Sequence, residues 1–417
     1  MVSGLSQAGK AGIQSFSLAG KEISQYVNTL QVFETLCKPY LTAKALVIDD
    51  AMIIDGLQIV GGETVSFTFV AEGGQSYNQN MQVFSIKKEQ ANKNKRALAY
   101  ELEMIGPEYF GDRTQLVQKA YKNITGTDII KNIHSQFVGG AGINVLVDSM
   151  GLLFQQNSHV INAAKPFKAI DDIRKLITFA QYPTGSTVYF RDKNQVNIGP
   201  LEHLFAQLNP NVTYQQKATW GADFRDIQNS MFAIVDLTTN LGDGKSARTN
   251  VHNVSAALKQ EFKVFDAYSN KQIIDQLASL IPNGIVAGVP FGQLASNIMN
   301  QAGSSMHGGK HNYVKIDTQK IPAASVRRTD KEQLYKAQIA DAPQIYIKVP
   351  IQGGMATTVG KGVNLEIMAP IGDMDTSSED LSMLSGPALV ADLTHEVHND
   401  NTLSSTTMRC VKGGFNV

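Results

Sequence analysis

Glu101 and Glu103, two apart in "ALAYELEM" (97–104), are a candidate carboxylate pair, the arrangement that glycoside hydrolysis uses on either side of one bond. They share a strand face with Ala97 and Ala99, and side chains two apart on such an exposed face commonly just meet water. His395 and His398 in "THEVH", and His307 and His311 in "HGGKH", are the candidate metal ligands. Residues three apart on a strand point to opposite faces, so His395 and His398 do not easily grip one ion, and a metal site needs three or four convergent ligands. His395 shares its face with Leu389, Leu393 and Val397, which makes it a candidate hydrogen-bonded histidine of a core or interface. Two segments approach a phosphate-binding loop. "GLSQAGKA" (Gly4 to Ala11) has the G-x-x-x-x-G-K spacing but ends in Ala11 where Mg²⁺ needs a hydroxyl, and "GDGKS" (242–246) carries Thr239 where the first Gly belongs. The acidic stretch "GDMDTSSED" (372–380) lacks the Gly and Glu of a calcium loop, offering Ser378 and Leu384 in their places. No G-x-S-x-G, H-E-x-x-H or Cys–His context occurs. These residues assign no catalytic group, no cofactor and no metal.

Contacts with other proteins are the chemistry that remains. Lys87, Lys88, Lys93, Lys95 and Arg96 cluster around "KKEQANKNKR", an exposed hairpin tip that can stay solvated or reach a neighbouring subunit. Aromatic stacking platforms are not interleaved with them, which argues against nucleic acid. Phe291, Met299 and Met306 lie within 283–312, a stretch rich in Gly, Asn and Ser whose interspersed apolar residues suit folding against a partner. Lys plus Arg and Asp plus Glu both number 37, giving zero net charge, so no global field draws in nucleic acid or an acidic membrane. Cys37 and Cys410 form no disulfide framework and no ligand cluster, which fits synthesis in a reducing cytosol. Neither a secretion signal in "MVSGLSQAGKAG" nor an apolar run of membrane-spanning length is expected. The lone Trp220 is expected to be a core or interface anchor.

The elements that position these residues are mostly strands. In "ETVSFTF", Val65, Phe67 and Phe69 alternate with Thr64, Ser66 and Thr68, and "QVFSI" and "ALAYELEM" repeat the pattern. Residues 20–104 read as an antiparallel sheet or barrel, with "QVFETLCKPY" as a connector before a strand at 41–49. Helical spacing is read in "RTQLVQKAYKNI", in "TDIIKNIHSQF" with Thr127 or Asp128 as N-cap, and in "PFKAIDDIRKLITFA" with Pro166 in its first turn. Two short strands flank a turn at Asp192 to Asn194. Strand patterns return in "MFAIVDLTT" and, after helical stretches that include 329–341, in "QIYIKV", "VNLEIMA", "PALVADLTHEV" and "SSTTMRCV".

The order of these motifs resembles the baseplate hub proteins of contractile-tailed phages, which are related to the base of the type VI secretion spike. "LAGKEISQYVNTLQVFETL" is similar to the family's opening strand and its step into a helix, and "IDDAMIIDGLQIVGGETVSFTF" to its G-G-E segment before an alternating strand. "LAYELEMIGPEYFGDRTQLVQKAYKNITGTDIIKNI" resembles its strand followed by two helices, "INAAKPFKAIDDIRKLITFA" its N-x-x-P-F-x-x-I helix, and "GKGVNLEIMAP…LSGPALVADLTHEV" its closing strand pair. The resemblance implies an α+β chain of two tube-like antiparallel β-barrel domains with inserted mixed α/β and helical material. The expected division is a first barrel at 1–110, a mixed α/β domain at 111–208, a second barrel at 209–255 plus 342–417, and a helical and loop insertion at 256–341. It also implies a homotrimer in the virion that adapts a six-fold tail tube, or its initiator, to a three-fold spike. Other baseplate proteins surround such a ring, DNA passes through it without sequence recognition, and no stable membrane insertion is expected. The rival expectation is a tail-associated enzyme that degrades cell wall, which needs a cleft with a perturbed carboxylate pair or a metal triad.

Overall fold

The computed structural model describes residues 9–50, 52–57, 59–90, 98–148, 158–174, 177, 179, 187–208, 210–216, 233–236, 285–286, 289–290, 344–367, 385–399 and 403–412. The first strands are β1 (Ala11–Leu18), the two-residue β2 (Lys21–Glu22), β3 (Val27–Thr35), β4 (Thr42–Asp49), β5 (Thr64–Ala71), β6 (Ser76–Gln90) and β7 (Leu98–Ile105). A short helix, Ile53–Leu57, links β4 to β5. Alternation drives them: Val65, Phe67, Phe69 and Ala71 of β5 are buried while the residues between them are not. Strand β3 corrects the expectation of a connector and of a step into a helix across "QVFETLCKPY". Its buried row is Leu30, Val32 and Glu34, with Phe33 turned outward, so the buried carboxyl hides the alternation.

A mixed layer follows, holding β8 (Val117–Lys122), β9 (Ile143–Val145), β10 (Ser158–Ala164), β11 (Thr187–Arg191), β12 (Val196–Pro200) and β13 (Thr213–Gln215). "RTQLVQKAYKNI" is strand β8 and not a helix. Val117 and Tyr121 are its buried residues, and a spacing of four fits a strand face as well as a helix face. The helix lies earlier, at Pro107–Thr114, with Pro107 in its first turn. Helix Gly126–Ile133 forms as expected, but its N-cap is Thr125, whose hydroxyl accepts the Asp128 N–H at 3.2 Å. Helix Pro166–Arg174 and the β11–β12 hairpin also form as read. Asp192 closes that hairpin, its carboxylate accepting the N–H groups of Asn194 and Gln195, both at 2.7 Å.

The remaining strands are β14 (Ala233–Asp236), the two-residue β15 (Ile285–Val286) and β16 (Val289–Pro290), β17 (Gln344–Pro350), β18 (Gly362–Glu366), β19 (Gly386–His398) and β20 (Ser405–Val411), with a short helix Ile351–Gly354 after β17. The helix expected at 329–341 lies outside the described residues. One sheet path runs β14-β17-β20-β19-β3-β4-β7-β6-β5-β1-β2, with β18 and β13 branching from β19. Ser404 N–H donates to Gly9 C=O at 2.8 Å, bringing the start of β1 back to the β19–β20 hairpin, so the sheet curls. Among the described residues no ladder closes it, and the expected closed barrels are not seen as such.

The path contains one topology twice. In β4-β5-β6-β7 the first strand pairs with the fourth, the fourth with the third and the third with the second, and β17-β18-β19-β20 pair in the same way. A short helix follows the first strand in each set, and the third strand is the longest. Outer strands extend both: β3 pairs β4 as β14 pairs β17, antiparallel in both cases. On the other flank β1 runs antiparallel to β5, while β13 runs parallel to β18. Among the described residues there are three hydrophobic clusters: one inside each strand set, and a third between the mixed-layer helices, β8 and the β11–β12 hairpin.

Candidate assembly site

The two strand sets match residue by residue. Val83 of β6 donates its N–H to Glu63 C=O at 2.9 Å and accepts from Gly62 N–H at 2.8 Å. Val390 of β19 does the same with Lys361 C=O at 3.0 Å and Gly360 N–H at 2.9 Å. Gly62 and Gly360 both sit at positive φ, +89° and +82°. The ladder to the fourth strand then shifts at Val83/Ser85 in one set and at Val390/Asp392 in the other. Buried positions correspond along the first, second and fourth strands: Ala43, Ala45 and Val47 with Ile345, Ile347 and Val349; Val65 and Phe67 with Val363 and Leu365; Leu102 and Met104 with Met408 and Cys410.

Strand β19 joins the sets. Its first residues, Gly386–Leu389, pair with β18, while Asp392–His398 pair antiparallel with β3. Side chains fasten that seam: Gln31 Nε2 donates to Glu396 Oε1 at 3.0 Å, and Thr29 Oγ1 lies 3.3 Å from His398 Nδ1. His395 is the hydrogen-bonded core histidine that its strand position implied, buried and 2.9 Å from Thr406 Oγ1, and burial pushes its pKa down to about 3. His398 points the other way, beside Glu396. Tyr77 links His395 to a buried carboxyl: its ring centroid lies 5.3 Å from that of His395, and Glu34, 1% exposed, accepts the Tyr77 hydroxyl at 2.9 Å and the Val359 N–H at 3.4 Å. Burial raises its pKa to about 7 against those hydrogen bonds. Sequence reading missed Glu34, and its Leu30-x-Val32-x-Glu34 spacing was the available signal.

The mixed layer is pinned to the same seam. Arg191 Nε donates to Glu108 Oε1 at 3.3 Å in a buried pair, and Glu108 also accepts the Ala141 N–H at 3.0 Å. Gln79 of β6 donates to Lys193 C=O, and Lys193 Nζ donates to Met355 C=O at 3.3 Å. A polar cavity of about 430 Å³ opens beside this turn, lined by Asp192, Lys193, Asn197, His203, Thr357 and Lys361 among others. Glu34 is enclosed by its partners and offers no carboxylate to a substrate.

Glu101 and Glu103 are not a free acid/base pair. Lys44 lies 3.1 Å from each, and Lys87 lies 3.0 Å from Glu103 and 3.6 Å from Glu101, forming an ion ladder across β4, β7 and β6. Hydrogen bonds from Lys87 and then Lys44 hold the Glu103 carboxyl below its usual range. The structure thus places Lys87 within its own chain's ladder, and Lys88 on β6 opposite Tyr100. Lys93, Lys95, Arg96, Phe291, Met299, Met306, Trp220, the His307/His311 segment, "GDGKS" and "GDMDTSSED" lie outside the described residues. Among the described residues no cluster of three or more His, Cys, Asp and Glu side chains is placed to hold a metal. No helix among them is long and apolar enough to cross a membrane.

No protein-family model matches the sequence, and no curated protein does. Solved structures do match. A tail protein from Neisseria meningitidis MC58 aligns over 96% of this chain and 96% of its own, at TM-score 0.50 and 12% identity. The 43 kDa tail protein of prophage MuSo2 from Shewanella oneidensis aligns over 98% of this chain and 100% of its own, at TM-score 0.53 and 12% identity. The fold is that of phage tail proteins. A component of the E. coli type VI secretion system also aligns, over 98% of this chain and 78% of its own, at TM-score 0.43 and 9% identity. The tail-protein alignments run nearly end to end, so both strand sets and the layer between them belong to the shared fold.

Proposed function

We propose that this chain is the hub of a contractile-tail baseplate: a homotrimer that joins a six-fold tail tube, or the protein that starts it, to a three-fold spike. In this reading each strand set is one tube-like domain, and three copies place six such domains around a channel through which DNA leaves. Other baseplate proteins grip its outside. The observation that carries the reading is the repeat itself. Two sets with the same strand order, the same Gly-anchored bonds at Val83 and Val390 and the same ladder shift give one polypeptide two near-equivalent building units. A threefold assembly of such a chain presents six similar faces, which is what a symmetry adaptor requires.

The test is the mass of the purified chain, alone and with its neighbouring spike protein, followed by class averages of the particle viewed down its axis. A ring of three chains with six similar lobes is the expected result. A chain that stays monomeric under both conditions, or a ring with another copy number, defeats the reading.

A further inference from the structure

We infer that the free edge of β6 at Ser85–Gln90 pairs antiparallel with β14, Ala233–Asp236, of a second copy of this chain. The inference rests on the hub reading in one respect, that copies of the chain associate. Its detail comes from the repeat. Within one chain, the second half of β19 lies between two strands, β20 on one side and β3 on the other. Its counterpart in the first set is the second half of β6, matched through Val83 with Val390 and Ser85 with Asp392. Strand β7 pairs with that half as β20 pairs with β19, but the β5 ladder stops at Gln82. Among the described residues no strand takes the position that β3 fills on β19, and only Tyr109 of the helix Pro107–Thr114 reaches its near end, its ring 5.7 Å from that of Phe84.

The missing strand is identified by the same equivalence. Counterpart to β3 is β14, since each is the antiparallel neighbour of its set's first strand. Among the described residues β14 pairs only with β17, and its other edge carries no strand. Among the described residues one chain therefore has two open edges of opposite kind, and each lacks the element that the other supplies. The two edges belong to different sets, so the contact is head-to-tail: it cannot close between two copies by twofold symmetry and must propagate into a ring or a filament.

Exposure along β6 agrees with a covered edge. Phe84 is 51% exposed, whereas its counterpart Ala391 is buried and accepts the Leu36 N–H at 2.9 Å just beyond β3. Ile86 is only partly buried, whereas its counterpart Leu393 is fully so. The register transfers as well. Val397 opposes Leu30 at the internal seam, and Leu30 and Ile234 pair with equivalent residues, Ala45 and Ile347, of the first strands of the two sets. Gln90 of one copy is thereby set opposite Ile234 of the next.

The experiment uses the full chain with Cys37→Ser, carrying either Gln90→Cys or Ile234→Cys. Mild oxidation of the two variants mixed should give a covalent dimer, while each variant alone should give none. Amide hydrogen exchange of the unmodified protein provides a second measurement that needs no variant. Peptides covering 85–90 and 233–236 should exchange at least about tenfold more slowly in the assembly than in dissociated chains, as newly paired strands do. A trimer whose mixed variants do not link, and whose β6 edge exchanges as fast as in free chains, overturns the edge pairing and leaves the hub reading standing. Linking of Gln90→Cys with itself at the mixed rate overturns it in favour of a symmetric contact. A chain that never associates overturns both readings.

Discussion

Val83 and Val390 hold the same structural position in two halves of one chain: each exchanges backbone hydrogen bonds with the glycine-containing pair before the second strand, and each stands at the shift in the next ladder. The relationship orders the rest of the molecule. It identifies β6 with β19 and β3 with β14, and it shows that β19 reaches past its own set to receive β3. A strand shared in this way makes the joint between the sets part of a continuous sheet, where a tethering loop would leave the two free to move.

The two anchoring glycines should not tolerate a side chain equally. A Cβ on Gly62 meets nothing within 4 Å, so Gly62→Ala carries only the strain of a left-handed backbone, about 1 kcal/mol. A Cβ on Gly360 falls 2.6 Å from Cζ of the buried Phe190 ring, which adds overpacking to the same strain and brings the total to about 3 kcal/mol. Urea unfolding midpoints of the two variants check this, and equal losses would show that the second core gives way easily at Phe190.

Glu34 and His395 should oppose each other in the pH dependence of stability. Glu34 titrates near 7 when folded and near its ordinary 4.5 when unfolded, so its contribution is complete below 4.5 and is lost as pH rises through 7. His395 is held near 3 when folded against 6.5 unfolded, so its contribution is complete above 6.5 and is lost as pH falls toward 3. Each slope amounts to about 3 to 5 kcal/mol over its window at 1.36 kcal/mol per pH unit. Between 4.5 and 6.5 the two largely cancel. Denaturant titrations should find Glu34→Gln gaining stability, relative to the unmodified chain, as pH rises from 4.5 to 7. His395→Asn should show the reverse trend, losing relative stability as pH rises from 4.5 to 6.5.

Arg191 and Glu108 are both buried and bonded, so removing one partner strands the other's charge. Arg191→Met should lower stability by about 3 to 5 kcal/mol. Adding Glu108→Gln removes the stranded charge while keeping an acceptor for the Ala141 N–H, and should recover more than half of that loss. A double-mutant cycle on chemical unfolding measures the recovery, and additive losses would rule out direct coupling of the pair.

Strands with an unbroken apolar row were legible in the sequence, as β5, β7 and β18 show. Legibility failed where a buried polar residue interrupted the row, as Glu34 does in β3, or where a spacing served two periods, as Val117 and Tyr121 do in β8. The repeat was harder to see because its matching positions are chemically mixed. "GGETVSF" and "VGKGVNL" share a glycine, a valine and an alternating apolar residue, whereas Phe84 stands opposite Ala391 and Glu103 opposite Arg409. A fold constrains which positions face inward far more tightly than which residue fills them. The edges available for assembly depend on pairing between distant segments, and no local pattern reports that.

Association of the folded chain links stability to concentration by mass action. For a trimer that unfolds to separate chains, a roughly hundredfold rise in protein concentration stabilises each chain by about 1.8 kcal/mol, two thirds of RT ln 100. A thermal midpoint that climbs by several degrees across that range is therefore expected of the hub, provided the lower concentration still holds the assembly. The proposed edge contact makes the effect directional. Placing proline at Gln90 puts a residue without an N–H on the free edge of β6, where a sheet partner would need it, and fixes φ near −65° in an extended strand. That variant should keep a midpoint independent of concentration, close to the value of the dissociated chain, while its near-UV circular dichroism stays native. If the unmodified chain shows no concentration dependence at all, its strand sets are complete without a neighbour and the open edges are capped from within.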